Sequence, residues 1–357
     1  MQHFLQICLE SVEAAITNLD AEIIVVDNNS SDGSCKMVKQ YFPKVHLIEN
    51  RENSGFSKGN NLGVAKAKGE YVCILNPDTV VAEDTFVKVI AFAEQQANIG
   101  IVGCRLIDGK GNFLPESKRN VPKVGVAFQK MMGNATKYYA NHISELNSGK
   151  VDVLVGAFML LKRDVYHTVN GFDEDYFMYG EDIDISYKAL KAGFDNYYYG
   201  ETGIIHYKGE STLKDKTYAK RFYGAMQLFY KKHFKKHLIF DALVWTGINL
   251  AYSIRKNPKT VDYKPSGYTF ISDSKNEKIE SVLGANVKVR STIDTIDEDT
   301  ELIFNMNTIS YKKMIDSMSL EDIKTKATFK ILSKTNRFIL GSNDSKHRGE
   351  VISLEIT

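Results

Sequence analysis

The chain has 357 residues, of which 43% are hydrophobic and 25% charged, and its formal net charge is +2. This length favours two domains, or one domain with a substantial appendage, and the apolar fraction with only six prolines excludes a chain dominated by disorder. The small net charge excludes nucleic-acid binding through bulk electrostatics and by itself names no partner.

The chain opens with helical spacing in Phe4-Leu5-Gln6-Ile7-Cys8-Leu9-Glu10-Ser11-Val12, and no strand precedes it, although an α/β sheet ordinarily begins with one. Three explanations stay open: the reading frame starts elsewhere, residues have been removed, or part of a nucleotide site is absent. From there strand and helix patterns alternate. Glu22 to Val26 reads as a strand, Gly33 to Tyr41 as a helix, and Val45 to Ile48 as a strand. A helix begins near Ser57, Tyr71 to Leu75 is a buried strand, Asp84 to Gln96 a helix and Ile99 to Leu106 a strand. This rhythm predicts helices on both faces of a mostly parallel sheet.

After Thr217 comes an amphipathic run, Tyr218 to Phe234, then the apolar segment His237 to Ile254, framed by Lys235, Lys236, Arg255 and Lys256. Asp241 and Asn249 interrupt that segment, so it is no membrane span; it reads either as a core helix or as a helix lying on a membrane surface. Arg255 to Lys264 reads as a linker. Beyond it, Tyr268 to Ser272, Glu280 to Leu283, Glu301 to Phe304, Ile309 to Met318 and Phe338 to Leu340 alternate strand and helix patterns, predicting a small α/β domain without a catalytic signature. The expected division is therefore 1–234, 235–264 and 265–357. Cys8, Cys35, Cys73 and Cys104 lack CxxC spacing and read as reduced thiols; with no basic-then-apolar leader at the start, the expected compartment is the cytoplasm.

Polar residues recur where strands end, which is where open α/β sheets bind ligands. Asp27, after Val25-Val26, can accept hydrogen bonds from a base or ribose, whereas the bland reading is a turn capped by Ser31 or Asp32. In Asn50-Arg51-Glu52-Asn53-Ser54-Gly55-Phe56-Ser57-Lys58-Gly59-Asn60-Asn61-Leu62-Gly63 the glycines permit close backbone approach, and a helix start would aim amides at an anion. It is neither a P-loop nor a dinucleotide fingerprint. Asn76-Pro77-Asp78 ends the strand Tyr71 to Leu75, and Asp78 suits a hard divalent cation, or else is a turn carboxylate. Acidic residues crowd Gly171-Phe172-Asp173-Glu174-Asp175-Tyr176-Phe177-Met178-Tyr179-Gly180-Glu181-Asp182-Ile183-Asp184; of these, Asp173 and Asp184 read as complements of a helix dipole. Finally, Ile204-Ile205 delivers His206 into a polar loop, as a ligand or as a structural histidine.

In this order the five segments resemble the inverting nucleotide-sugar glycosyltransferases of family two, with the GT-A fold, and their rhamnosyltransferase-like branch, over roughly Phe4 to Phe234. The resemblance implies that Asp27 contacts the nucleobase and ribose, and that Asn53, Gly55, Phe56 and Asn60, with Ser54 and Asn61, form the nucleotide-side loop. It places Asn76-Pro77-Asp78 at the family's Asp-x-Asp metal motif, with Asn76 replacing the first Asp and Asp78 left to hold Mg²⁺ or Mn²⁺. His206 matches a position that contacts the metal or diphosphate, and Arg119, in Glu116-Ser117-Lys118-Arg119-Asn120-Val121-Pro122, resembles a segment that faces the diphosphate. Lys188 stands where relatives carry Arg, which forfeits a bidentate contact. Asp182 of the Glu181-Asp182 pair is the implied base.

The function so implied is transfer of a sugar, rhamnose favoured, from a nucleoside-diphosphate sugar to a glycan or lipid-linked acceptor in cell-surface polysaccharide synthesis. It would occur at the inner face of the cell membrane, with peripheral contact and no nucleic-acid partner. Two other classes compete: a pseudoenzyme that binds a nucleotide sugar or glycan without turnover for want of its first strand, and a membrane scaffold acting through the helix around Trp245.

Overall fold

A computed structural model of the chain describes residues 1–131, 133–208, 216–234, 264–293, 296–344 and 349–355. The segment expected as a core or membrane-surface helix, His237 to Ile254, and the linker up to Tyr263 lie outside the described residues.

The elements of the first part are α1 (Gln2–Ala15), β1 (Ile24–Asp27), α2 (Ser34–Tyr41), β2 (His46–Glu49), α3 (Gly55–Val64), β3 (Tyr71–Leu75), β4 (Thr79–Val80), α4 (Thr85–Glu94) and β5 (Ile99–Ile107). They continue with α5 (Val124–Met131), β6 (Gly149–Lys150), β7 (Phe158–Lys162), α6 (Arg163–Thr168), α7 (Glu181–Lys191), β8 (Asp195–His206) and α8 (Lys216–His233). The second part has β9 (Gly267–Ile271), α9 (Glu277–Leu283), β10 (Val287–Arg290), β11 (Thr300–Asn305), α10 (Tyr311–Met318), α11 (Glu321–Lys324), β12 (Ala327–Leu332), β13 (Phe338–Gly341) and β14 (Glu350–Ser353).

The α/β class expected from the sequence is the one the chain adopts, but the central sheet is not mostly parallel. The central order is β3-β7-β5-β8-β4, with β6 pairing on β8. Only β5 and β8 run parallel; β3 with β7, β5 with β7 and β4 with β8 are antiparallel. The alternation of strand and helix forces parallel pairing only where a helix carries the chain back across the sheet. No crossing helix separates β3 from β4, which are joined by Asn76-Pro77-Asp78 alone. β5, flanked by β7 and β8, is buried along its whole length.

Among the described residues, β1 and β2 pair in parallel as a separate two-stranded sheet. The second part is a six-stranded sheet ordered β10-β9-β11-β12-β13-β14, whose first four strands are parallel.

α1 explains its own composition. Phe4 and Ile7 share an apolar cluster with Phe304, Ile331 and Phe338 of the second sheet, Leu5 and Leu9 join Met37 and Val38 of α2, and Cys8, Val12 and Ala15 face the central sheet. A helix wedged among three layers is withdrawn from water on most sides, and even Gln6, Glu10 and Ser11 are buried. Polar contacts reinforce the junction: the Glu83 carboxylate accepts from the Tyr311 and Lys312 amides at the start of α10, at 2.7 and 2.8 Å, where negative charge complements the helix dipole. All four cysteines are free thiols.

Candidate active site

β1 ends at Asp27, whose carboxylate accepts from the Ser30 amide at 3.0 Å and so shapes the turn. The next residue does more. Asn28 donates to the Gly55 carbonyl at 3.0 Å and accepts from Asn50 at 2.8 Å and Ser54 at 3.0 Å, joining the Asp27 turn to the loop that leads into α3. Sequence reasoning passed over Asn28, although its place directly after a strand-end carboxylate was a usable signal.

Asn53 accepts from the Gly55 amide at 3.0 Å, and Asn60 donates to the Phe56 carbonyl within its own helix. Gly55 adopts φ +81°, and its amide neighbour Phe56 donates to the Phe177 carbonyl at 2.8 Å. A Cβ on Gly55 would stand 2.5 Å from that carbonyl oxygen. Gly55→Ala is therefore expected to cost about 1–3 kcal/mol and to loosen the join between this loop and the acidic segment; a thermal melt of the variant checks it. Asn61 completes the join, donating to the Phe172 carbonyl and Glu174 at 2.9 Å and accepting from the Phe172 amide at 3.0 Å. The Phe56 ring meets Phe172 edge-on.

α7 starts after Tyr179 and Gly180, both at positive φ, so that Glu181 and Asp182 occupy its first turn. Asp182 accepts from the Ile183 amide at 2.8 Å through Oδ1, and through Oδ2 from Arg119 at 2.6 Å and the Gly156 amide at 3.4 Å. Arg119, expected to face a diphosphate, is instead buried against Asp182, and it also donates to the Leu154 carbonyl at 2.6 Å. The reason is local: Arg119 forms isolated bridges with Val153 and Tyr139, which turn its side chain toward the start of α7. Burial opposes its charge, and the Asp182 carboxylate more than offsets that, so its pKa lies above the usual value.

Glu181 differs from its neighbour. It is buried with Oε2 unpartnered, and burial first, then the Asp182 charge, pushes its carboxyl up to about 8. It is therefore protonated at neutral pH.

Asp184 and Asp173 were read as dipole complements, and here the structure corrects the sequence. Asp184 is fully buried, 2.6 Å from His233 Nε2 and 3.4 Å from Lys188 Nζ, and Asp173 takes Lys232 at 2.5 Å. Both carboxylates fasten the C-terminal end of α8 to the acidic segment. Lys188 donates to the Gly171 carbonyl at 2.6 Å, another tether rather than a ligand contact.

On the other side, β4 pairs Thr79 with His206 and so sets the imidazole beside Asp78, with Nε2 3.4 Å from Oδ1. Asn76 Nδ2 lies 3.4 Å from the same nitrogen. Both Asp78 oxygens are buried without a hydrogen-bond partner, which costs free energy unless something else is bound there. A hard divalent cation that takes oxygen and imidazole ligands fits that pair. Among the described residues no group of three or more His, Cys, Asp and Glu gathers, so further ligands would have to come from substrate phosphates or water.

The Leu154–Ala157 segment links the two sides. Its Leu154 carbonyl holds Arg119, its Gly156 amide faces Asp182, and its Ala157 carbonyl accepts from the Asn76 amide at 3.0 Å. A Cβ on Gly156 would stand 3.4 Å from the Phe56 ring and 3.6 Å from the Asp182 Cβ. This segment was also missed in the sequence, where the small pair Gly156-Ala157 ahead of an apolar run was the signal.

Residues 2–169 match the sequence model described as glycosyl transferase family 2. Among curated proteins, it is 26% identical over 216 residues to the N-acetylglucosaminyl-diphospho-decaprenol L-rhamnosyltransferase of Mycobacterium tuberculosis, covering 56% of this chain and 70% of that protein. It is 28% identical over 207 residues to the rhamnosyltransferase WbbL of Escherichia coli K12, covering 55% and 78%. Among solved structures, a mannosyltransferase from Pyrobaculum calidifontis in complex with GDP-Man and Mn²⁺ aligns with TM-score 0.48 and 16% identity, over 71% of this chain and 67% of that one. No helix among the described residues is long and apolar enough to cross a membrane.

Proposed function

We propose that the chain is an inverting glycosyltransferase that moves a sugar, rhamnose favoured, from a nucleoside-diphosphate donor to a hydroxyl of a glycan or lipid-linked acceptor. The observation that supports this most is the Leu154–Ala157 segment, which ties the Asp182–Arg119 pair to Asn76 through one stretch of backbone. The two rhamnosyltransferase relatives support the sugar and the polysaccharide context. In this reading Asp27, Asn53, Gly55, Phe56 and Asn60 take the nucleotide, and Asn76 sits at the diphosphate end. The work is done in the cytoplasm, at the inner face of the membrane.

Asp182 accepts the proton of the acceptor hydroxyl as that oxygen attacks the anomeric carbon; the bond to the diphosphate oxygen breaks on the opposite face, so configuration inverts. Arg119 and the Gly156 amide hold the carboxylate in place for that transfer. Asp78 and His206 would hold Mg²⁺ or Mn²⁺, which when bound supplies positive charge to the departing diphosphate.

The test is a donor panel with purified protein and Mn²⁺, scored by nucleoside diphosphate release with and without a lipid-linked acceptor analogue. Release from dTDP-rhamnose above all others is the expected result. Donor binding with no release from any donor would instead mark a pseudoenzyme. His206→Ala is expected to raise the Mn²⁺ concentration needed for half-maximal rate; an unchanged metal titration would leave the imidazole a structural role only.

Glu181 gives a separate prediction. Its folded pKa lies above the usual value of 4.5, so as pH rises from there toward about 8 the unfolded chain loses the proton first. Stability contributed by the neutral carboxyl is present below that window and lost across it. Glu181→Gln is expected to flatten the decline, measured by urea melts at pH 5, 7 and 8.5.

A further inference from the structure

β4 is only two residues long, Thr79–Val80, and it closes the order of the central sheet with β8 as its paired neighbour. It nevertheless holds an unfavourable arrangement. Asp78, directly ahead of it, is buried with both carboxylate oxygens unpartnered, and His206, opposite Thr79, is buried with Nδ1 unpartnered. Each such atom gives up hydration without a compensating hydrogen bond, so the pair is driven to turn outward into water whenever no cation holds it. A strand of two residues has too few ladder bonds to resist that by itself. Its backing has to come from elsewhere.

The alternation of side chains shows where. Ile205 and Tyr207, on either side of His206, and Val80 and Ala82, on either side of Val81, belong to one apolar cluster with the second sheet and α10. Ile204 and Val81 belong instead to the cluster of the central sheet. Neighbours along a strand point to opposite faces, so the residues flanking His206 point away from the imidazole and into the shared cluster. α10 lies within that contact, packed against β8. Its Tyr311, Met314, Ile315 and Met318 recur at helical spacing and are at most 1% exposed. The start of the same helix is held by the segment that leaves β4, through Glu83 on the Tyr311 and Lys312 amides and through Asp84, 3.3 Å from Lys312 Nζ.

We infer that the second sheet and α10 brace the Asp78–His206 pair from behind, so that the second part of the chain sets the affinity of that pair for a divalent cation; this rests on the metal role proposed above for the two residues. The second sheet contributes no ligand. It acts by position, keeping buried a carboxylate and an imidazole that would otherwise turn to water. Linkage is reciprocal, so a cation bound at the pair also strengthens the docking of the second sheet.

The experiment compares two truncations in the whole chain. Met314→Ala removes a side chain of α10 from the shared cluster, and Ile279→Ala removes one of α9 from the cluster on the opposite face of the second sheet; both positions are fully buried. Binding of Mn²⁺ alone is followed by loss of the free-ion signal in electron paramagnetic resonance. Hydrogen exchange without metal is followed on peptides covering Asp78 to Ala82 and Ile204 to Tyr207. Met314→Ala is expected to weaken Mn²⁺ binding and to speed exchange in both peptides by about tenfold or more, and Ile279→Ala to change each by less than about threefold. Equal effects of the two variants, or no effect of Met314→Ala, overturn the brace. If the parent chain binds no Mn²⁺, the metal role of Asp78 and His206 falls and the effect on affinity with it, while the exchange comparison still decides whether the second sheet holds β4 and β8 in place. Should either alanine variant fail to fold, Met314→Val and Ile279→Val replace the pair under the same criteria.

Discussion

Asp182→Asn is expected to lower the rate of sugar transfer by about 10²–10⁴-fold, the usual contribution of a positioned general base, while donor affinity changes by no more than a few-fold. Asparagine is nearly isosteric and its carbonyl can still accept from the Ile183 amide, as Oδ1 does at 2.8 Å in the parent. What it loses is the capacity to take a proton. The substitution also removes the partner of the buried Arg119, so isothermal titration with donor must accompany the rate measurement, to separate lost chemistry from lost structure. Turnover retained within a factor of a few would remove Asp182 from its proposed role. The neighbouring carboxylate cannot easily substitute near neutral pH, because burial keeps Glu181 protonated there.

What could be read from the sequence followed the reach of each signal. Period-two and 3.6-residue patterns found β3, β5, α2 and α4 within a residue or two, because apolar periodicity is a local property. Strand direction is not local: β4 pairs antiparallel after a three-residue connection from β3, and β7 enters antiparallel between β3 and β5 after a connection that includes α5 and β6. The placement of residues at strand ends was legible: β4 pairing does set His206 beside Asp78. Residues that act by joining loops were not. Asn28, Gly156 and the carboxylates of Asp173 and Asp184 owe their partners to segments 26 to 59 positions away in the chain. Arg119 shows the same limit, since its carboxylate partner Asp182 lies 63 positions away.

That pairing leads to the other large expected effect. Arg119→Met should destabilise the fold by about 3–5 kcal/mol, the cost of leaving one charge of a buried pair without its counter-ion. Both side chains are largely withdrawn from water, at 8% and 13% exposure, so solvent cannot take the place of the missing partner. The Leu154 carbonyl would lose its 2.6 Å donor at the same time, and with it one of the ties that hold the Leu154–Ala157 segment. Urea melts of Arg119→Met, Asp182→Leu and the double variant form a cycle that separates the pair from its surroundings. If the ion pair is the source of the effect, the double variant is more stable than either single one, since two apolar side chains of similar volume leave no charge uncompensated. Equal losses that simply add would mean that Arg119 acts through the Leu154 carbonyl and packing against Tyr138, and that Asp182 is positioned by the α7 backbone and the Gly156 amide alone.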